Sequence, residues 1–352
     1  MADKAGVAFY GAGGIVLNRL AEGVELSEYA RLVGAYNPSP ENLDKLSAKY
    51  PGMRRYDSPD KLMADRNVDI VVVASPHHLH YEHALAALEN GKNVWAEKPL
   101  ATTYNGAVSL TRAAKDFELG LWVDSMMRNH WLNREAERII QGKQLGRVIS
   151  VETTMAFPYF DFNNFRYQEL DEEGGGPLWD VGPHCLYMAM MLAGAKRIKD
   201  ISASWGVQLD AGKPHQNCCL EYTLDNGVQA KSYVSFTTHW KSFMDNLFFR
   251  VELDGGYVEG RGTMFQHSAT CKDNDQHLVV QEGTSRREIR TPTEGVPNIY
   301  TVEFDKLAIP IVVEGTLPID RFSASLVGVI EQAIKSAHNY GIPRNTLHLF
   351  QP

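Results

Sequence analysis

The sequence predicts an α/β chain in two parts: a parallel-sheet domain over residues 1–125, then an α+β domain over 126–352 with an open, mostly antiparallel sheet. Three observations predict it. The length, 352 residues, suits two domains of ordinary size. Over the first third, short apolar runs alternate with amphipathic segments, as βαβ units do. After about residue 125 strands follow one another, several through hairpin-like turns.

In the first part, residues 7–10 read as a strand that leads through Gly11 to Gly14 into a helix ending near Glu22. A strand over 32–36 and a helix over 41–50 follow. Residues 69–74, DIVVVA, are a continuous β-branched run, the pattern of a strand buried on both faces. Residues 80–90 carry Ala84, Leu85 and Leu88 at helical spacing, with Gly91 as the C-cap. A strand over 94–96, a helix over 106–117 and a strand over 120–124 complete the alternation. In the second part a helix covers 135–141, and strands include 148–156, 198–205, 218–224, 228–236 and 247–253. Asp225-Asn226-Gly227 and Asp254-Gly255-Gly256 supply turns. A helix over 178–192 interrupts the series. An amphipathic helix over 322–340 closes it and is expected to pack back on the first domain.

Composition narrows the function. Hydrophobic residues are 44% and charged residues 22% of the chain, enough apolar material for a real core. A net charge of −8 argues against nucleic acid, which needs a concentrated basic face. No Lys/Arg block or basic amphipathic stretch appears, so a membrane surface is an equally poor partner. No secretory signal is visible ahead of the first strand, and the most apolar helical stretch, 187–195, is far too short for a bilayer. Cys185, Cys218, Cys219 and Cys271 include no C-x-x-C pair, so buried thiols are expected rather than a metal site or disulfides. A reducing cytoplasm fits.

Gly11-Ala12-Gly13-Gly14-Ile15-Val16 sits directly after the first strand and opens the first helix. Gly11 permits the tight turn and Gly13 lets the backbone approach a pyrophosphate, with Gly14 and Ile15 at the helix N-terminus on which it would lie. This is the Rossmann pattern with Val16 in place of the third glycine; a plain glycine-rich turn is the alternative. The second strand ends in Asn37-Pro38-Ser39, where an acid commonly binds the adenosine ribose. Asn37 is a ribose contact or a turn residue before Pro38. It does not repel a 2′-phosphate as a carboxylate would, and Ser39 is a candidate contact for one, although no Arg or Lys follows immediately. The choice between NAD and NADP stays open.

Ser75-Pro76-His77-His78-Leu79-His80 follows the buried strand at the carboxyl edge, where α/β folds place ligands, and Glu97-Lys98-Pro99 follows the next strand there. Ser75, Pro76, His77, His80, Glu97 and Lys98 are therefore candidate cofactor contacts. A lysine at this edge is placed to approach the nicotinamide and the reacting carbon, and Pro99 restricts Lys98 to an extended backbone. A surface charge is the plain alternative. The histidines at 77, 78 and 80 have no carboxylate at ligand spacing, so no metal is expected.

In the second part, Gly174-Gly175-Gly176-Pro177-Leu178-Trp179-Asp180-Val181-Gly182-Pro183-His184 leads into an apolar helix. Asp180 and His184 share one face if both are helical. Such a pair suits alcohol–ketone chemistry: the imidazole takes or gives the hydroxyl proton near neutral pH, and the carboxylate orients it or the substrate. Capping plus a satisfied core histidine is the alternative. Pro183 is expected to kink the segment.

Taken together these motifs resemble the glucose–fructose oxidoreductase, inositol dehydrogenase and rhizopine-catabolism (Gfo/Idh/MocA) oxidoreductases over nearly the whole chain. Carrying the resemblance are Gly11 to Gly14, the run from Ser75 to His80, Gly91-Lys92-Asn93-Val94-Trp95-Ala96-Glu97-Lys98-Pro99-Leu100, and the triple glycine through His184. Weaker echoes are Met127-Arg128, Leu145-Gly146-Arg147-Val148 and Phe165-Arg166. The resemblance implies a Rossmann domain with NAD or NADP, then a domain whose open sheet often supports a homo-oligomer, a dimer or tetramer. It implies Lys98, Asp180 and His184 as the catalytic set. His184 would be the general acid/base, Asp180 would bind or orient the hydroxyl, and Lys98 would sit by that oxygen and the nicotinamide. A cis Lys98–Pro99 bond is also implied. Val16, Asn37, His77 and Pro183 depart from the common pattern, and none removes a reacting group.

The aromatic-rich stretch 157–167 is a candidate lining for a sugar site, with Phe157 and Arg166 as substrate contacts beside Lys98, Trp179, Asp180 and His184; a hydrophobic loop packed on the sheet or at a subunit contact is the alternative. The expected activity is interconversion of a secondary hydroxyl and a ketone on a sugar, sugar derivative or cyclitol. Two other readings remain. One is the same fold acting on another carbonyl or dihydrodiol, or cleaving a glycoside with retained NAD. The other is a non-catalytic cofactor-sensing regulator, since fold does not fix function.

Overall fold

The alternation in the first third folds into a parallel sheet interleaved with helices. The computed structural model describes residues 4–156, 165–208, 210, 212–237, 246–264, 276–292 and 297–350, without the side chains of Phe165 and Tyr167. Phe157 and the rest of 157–164, like Cys271, lie outside the described residues. Two compact units form, one from residues up to 126 with 297–324, the other from 127–296 with 325 onward.

The first unit starts with β1 (Ala5–Tyr10), and the helix after it opens in a wide π-turn over Val16–Leu20 before α1 (Ala21–Glu25). There follow β2 (Ala30–Tyr36), α2 (Pro40–Lys49), β3 (Arg54–Tyr56), α3 (Pro59–Ala64), β4 (Ile70–Val73), α4 (His80–Glu89), β5 (Asn93–Ala96), α5 (Tyr104–Asp116) and β6 (Leu121–Val123). The sheet is parallel throughout, in the order β3-β2-β1-β4-β5-β6. Every residue of β4 is buried, as its β-branched run requires. The winding reverses between β1 and β4, and such a reversal opens a crevice at the carboxyl edge.

The second unit carries α6 (Trp131–Gln141), β7 (Val148–Ala156), α7 (Phe165–Gln168), α8 (Gly176–Asp180) and α9 (Gly182–Ala193). Its strands continue as β8 (Ile198–Trp205), β9 (Asn217–Leu224), β10 (Gln229–Ser235), β11 (Leu247–Leu253), β12 (Gly256–Gly262), β13 (His277–Glu282) and β14 (Ser285–Arg290). Then come α10 (Ile299–Ile309) in the first unit, α11 (Phe322–His338) and β15 (Arg344–Asn345). The nine strands run β14-β13-β12-β11-β7-β10-β9-β8-β15, all neighbours antiparallel except β7 and β10. Alternate residues of β9 (Cys218, Leu220, Tyr222, Leu224) are buried, the mark of a sheet covered on one face. The helix that covers it is α9, apolar nearly all round and packed on β7 and β10. Among the described residues no helix is long and apolar enough to cross a membrane.

Three expectations are corrected. Residues 126–352 do not form one continuous second domain, because 297–324 belongs to the first unit. Within that return α10 packs against α1, β2 and β6, and of the 322–340 segment residues 322–324 are grouped with the first unit. The reason is chemical: Trp122 Nε1 and Ser125 N donate to Glu303 Oε2 at 3.1 and 3.3 Å, and Phe304 packs on Trp95 with ring centroids 4.6 Å apart. Beyond α10 the chain runs beside β6, with Leu121 N donating to Pro318 O and Asp320 N to Leu121 O, each at 2.8 Å. Second, the helix expected over 178–192 is two, since Val181 leaves the helical backbone at φ −120° between α8 and α9. Third, Pro183 kinks no helix interior. It stands in the first turn of α9, where its missing N–H would have had no intrahelical acceptor.

The β3 edge is held by one buried carboxylate. Asp65 accepts from Tyr56 OH at 2.8 Å, Asn67 N at 2.8 Å and Asn67 Nδ2 at 2.9 Å, and pairs with Arg54. Burial pushes this carboxyl up, but the Asn67 and Tyr56 hydrogen bonds and the Arg54 charge hold it below its ordinary value. A depressed carboxyl adds stability above its unfolded pKa and loses it as pH falls through the folded one. Asp65→Asn is expected to cost about 1–3 kcal/mol near neutral pH. Urea titrations should show that deficit shrinking below about pH 4.

Candidate active site

The carboxyl edge of the parallel sheet is built around Gly11. Its φ is +111°, and a Cβ there would lie 2.5 Å from Ala74 O just past β4, so the turn that leaves β1 admits only glycine here. Gly11 N donates to Tyr36 O at 2.9 Å, tying β1 to β2. Gly13 differs: among the described residues, its own chain neighbours aside, no atom lies within 4 Å of where its Cβ would be. The protein does not demand glycine at this position, but a cradle that a Cβ would fill suits close approach of a pyrophosphate to the backbone. Ile15 and a fully buried Val16 stand where the first helix begins, and its first turn is the wide one. Asn37 Oδ1 accepts from Ala12 N at 2.9 Å, and Nδ2 donates to Ser39 O at 3.0 Å. Its amide thus clips the glycine turn to the start of α2, the work of a turn residue. Ser39 caps α2 with its hydroxyl unused in the cap.

His80 lies inside the edge, at the start of α4. It is fully buried, with Nδ1 2.6 Å from Pro99 O and Nε2 2.8 Å from Ser75 O. Its ring therefore latches two edge loops together. Burial pushes the imidazole down to about 4 against the pull of the two carbonyls. A neutral ring carries one N–H and can donate to only one of them. Ser75 Oγ meets His83 Nδ1 at 2.9 Å, and the His83 ring stacks on Tyr10 at 3.8 Å. Pro76 leads into a short turn, His77–Leu79, and buried His77 sets its ring edge-on to His80. The Lys98–Pro99 bond is cis, as the resemblance implied.

Sequence reading named Glu97 but missed Asp124 and Glu303, the other acids around Lys98. Glu97 and Asp124 follow β5 and β6, neighbouring strands, and Asp124 N donates to Ala96 O at 2.9 Å. Glu97, Asp124 and Glu303 are all buried. Burial, then Glu97 and Glu303, push the Asp124 carboxyl well above its ordinary value, while Lys98 pulls it back. An acid closing the apolar run 120–124, and Glu303 within an otherwise apolar helix, were the available signals.

In the second unit Asp180 ends α8 and His184 lies in the first turn of α9; they are 6% and 3% exposed. Arg166 Nε stands 3.0 Å from Asp180 Oδ1, so this expected substrate contact is the carboxylate's counter-charge. Trp179 is fully buried with its indole N–H donated to Asp171 O. Three residues beyond His184, Tyr187 OH accepts from Arg128 Nε at 3.0 Å. Lys98 belongs to the first unit; Arg166, Asp180 and His184 belong to the second.

A reversing parallel sheet with a glycine cradle at its edge, followed by a domain carrying a buried Asp/His pair, defines a nicotinamide-nucleotide oxidoreductase class. Residues 5–125 match the model of the oxidoreductase family with NAD-binding Rossmann fold, and 133–259 match the GFO/IDH/MocA C-terminal domain. The chain belongs to the Gfo/Idh/MocA oxidoreductase family. Among its relatives, D-glucoside 3-dehydrogenase of Escherichia coli is 31% identical over 205 residues, 56% of each chain. The NADP-dependent scyllo-inositol 2-dehydrogenase IolU of Bacillus subtilis is 27% identical over 202 residues, 56% of this chain and 60% of the relative. The match thus spans little more than half the length of these relatives. Aldose–aldose oxidoreductase of Caulobacter crescentus, solved with glycerol, superposes with a TM-score of 0.83 over 97% of this chain and 100% of that one, at 23% identity. That likeness is one of fold.

His80→Ala should cost about 1–3 kcal/mol of stability through the lost latch. Calorimetry should show NAD(H) binding weakened about tenfold as Ser75 and Lys98 lose their common support.

Proposed function

We propose that the protein interconverts a secondary hydroxyl and a ketone on a sugar, sugar derivative or cyclitol, with NAD or NADP. The observation that carries this reading is the buried Asp180–His184 pair at the head of α9, with Arg166 beside the carboxylate. The names of the relatives, a glucoside dehydrogenase and an inositol dehydrogenase, support the substrate class.

The Rossmann edge would hold the dinucleotide at Gly11, Gly13, Gly14 and Ile15, with Ser75, Pro76 and the loop of Glu97 and Lys98 beyond. When bound, the nicotinamide accepts or gives the hydride. The chain's own residues manage the proton and the hydroxyl. His184 takes the hydroxyl proton as the carbon is oxidised and returns it in reduction. Asp180 accepts a hydrogen bond from the hydroxyl or the imidazole, and Arg166 keeps that carboxylate in a fixed place as its counter-charge. Lys98 is an ammonium donor to the oxygen on which negative charge develops. Burial of the pair keeps bulk water from competing for those hydrogen bonds. The open face of the nine-stranded sheet is the surface through which we expect a homo-oligomer, in the cytoplasm.

A screen of sugars, glycosides and cyclitols against NAD and NADP, read by nicotinamide absorbance, tests the activity; no turnover with any of them would count against an enzyme. With an active substrate, His184→Ala should lose about 10²–10⁴ in kcat while NAD(H) affinity stays as in the wild type. Lys98→Ala should lower both. Wild-type turnover in His184→Ala would remove the acid/base assignment.

A further inference from the structure

Ahead of the triple glycine stands a second carboxylate–imidazole pair, one that neither the motifs nor the mechanism above uses. Asp171 Oδ2 accepts two hydrogen bonds from one residue, from His215 Nδ1 at 2.7 Å and from His215 N at 3.1 Å. The first bond sets the tautomer, placing a proton on Nδ1. The His215 ring is stacked on Trp205 at 4.5 Å, 6° from parallel, so its plane is fixed as well. Asp171 is buried, and its backbone carbonyl accepts from Trp179 Nε1 in α8.

The glycines that follow are shaped around this pair. Gly176 has φ +76°, and a Cβ there would lie 3.0 Å from both Asp171 Oδ1 and His215 O. A Cβ on Gly175 would lie 1.9 Å from Glu169 O. From Gly176 the chain enters α8 and α9 with little slack: Val181 N donates to Pro177 O at 2.9 Å and Cys185 N to Val181 O at 3.2 Å. A shift at Asp171 is therefore passed through Gly176 and Trp179 to the residues at 180 and 184.

We infer that Asp171 and His215 are positioning residues which, by pinning the triple-glycine turn, set the placement of Asp180 and His184. The inference rests on the catalytic reading of those two residues, and its test is chosen to stand apart from that reading. Asp171 and His215 belong to the second unit and the glycine turn at Gly11 to Gly14 to the first, so loss of the pair should leave NAD(H) binding alone.

The experiment uses the full chain with ¹⁵N-labelled histidine, the His184 ring signals being assigned by their disappearance in His184→Ala. Asp171→Ala should move the titration midpoint of His184 by about half a pH unit or more, a threefold change in proton affinity. Asp171→Asn, whose amide oxygen can accept the same two bonds, should restore it. His215→Ala removes the ring but leaves the carboxylate, and should shift His184 as Asp171→Ala does even if that variant fails to accumulate. NAD(H) affinity by calorimetry should match the wild type in all three. An unmoved His184 titration in folded Asp171→Ala or His215→Ala overturns the inference, as does an Asn variant that behaves like the Ala one. Because the ring titration needs no turnover, it judges the coupling whether or not His184 proves to be the acid/base.

Discussion

All strands of a parallel sheet end on the same side, and this places a demand on that side. Each chain leaving β1, β4, β5 or β6 carries polar backbone out of a core that is apolar on both faces, and those groups must be paired where they emerge. Gly11 answers by folding tightly enough to lie against the Ala74 carbonyl. Asn37 uses its amide to join the glycine turn to the next helix, and His80 fills the space between the Ser75 and Pro99 carbonyls. The border between core and solvent is also where charges feel their neighbours most: burial, Glu97 and Glu303 push the Asp124 carboxyl up, and Lys98 pulls it back.

The second unit meets a related demand by another route. Here the backbone must come close to a buried carboxylate rather than to a neighbouring strand, and consecutive glycines permit it. Once past Gly176 the chain is helical on both sides of a single break at Val181. Asp180 and His184 thus stand at the junction of two helices, each next to a helix end, and not on one continuous face. The four-residue spacing suggests a shared face only for an unbroken helix.

Much of this was legible in the residues. The β-branched run at 69–74, the glycine turn and the period-two pattern of strands such as β7, β8 and β11 lead directly to the observed sheet. What stayed hidden has physical causes. The edge strand β14, Ser-Arg-Arg-Glu-Ile-Arg, is polar on both faces and carries no alternation to read. The three-residue β3 is too short for a pattern. The return of α10 to the first unit depends on one buried acid, Glu303, meeting an indole and an amide more than 170 positions away. In the site, motif reading finds which residues cluster but not what each side chain faces. His80 and Trp179 both sit in the right segments, yet their polar atoms are consumed by backbone carbonyls. Asp171 and His215 escaped because their partnership spans 44 positions and neither belongs to a recognisable run.

The late arrival of α10 has a consequence for how the molecule is made. Trp95, Trp122 and Ser125 are translated long before Glu303 and Phe304, which cover and satisfy them. Throughout synthesis of the intervening strands, the outer side of β5 and β6 lacks its lid, an indole lacks its acceptor, and the bridge from Leu121 to Ile319 is unmade. The nucleotide-binding half, although encoded first, is therefore not complete until residues 297–324 emerge, and a nascent chain stalled before residue 297 carries it with an uncovered aromatic flank.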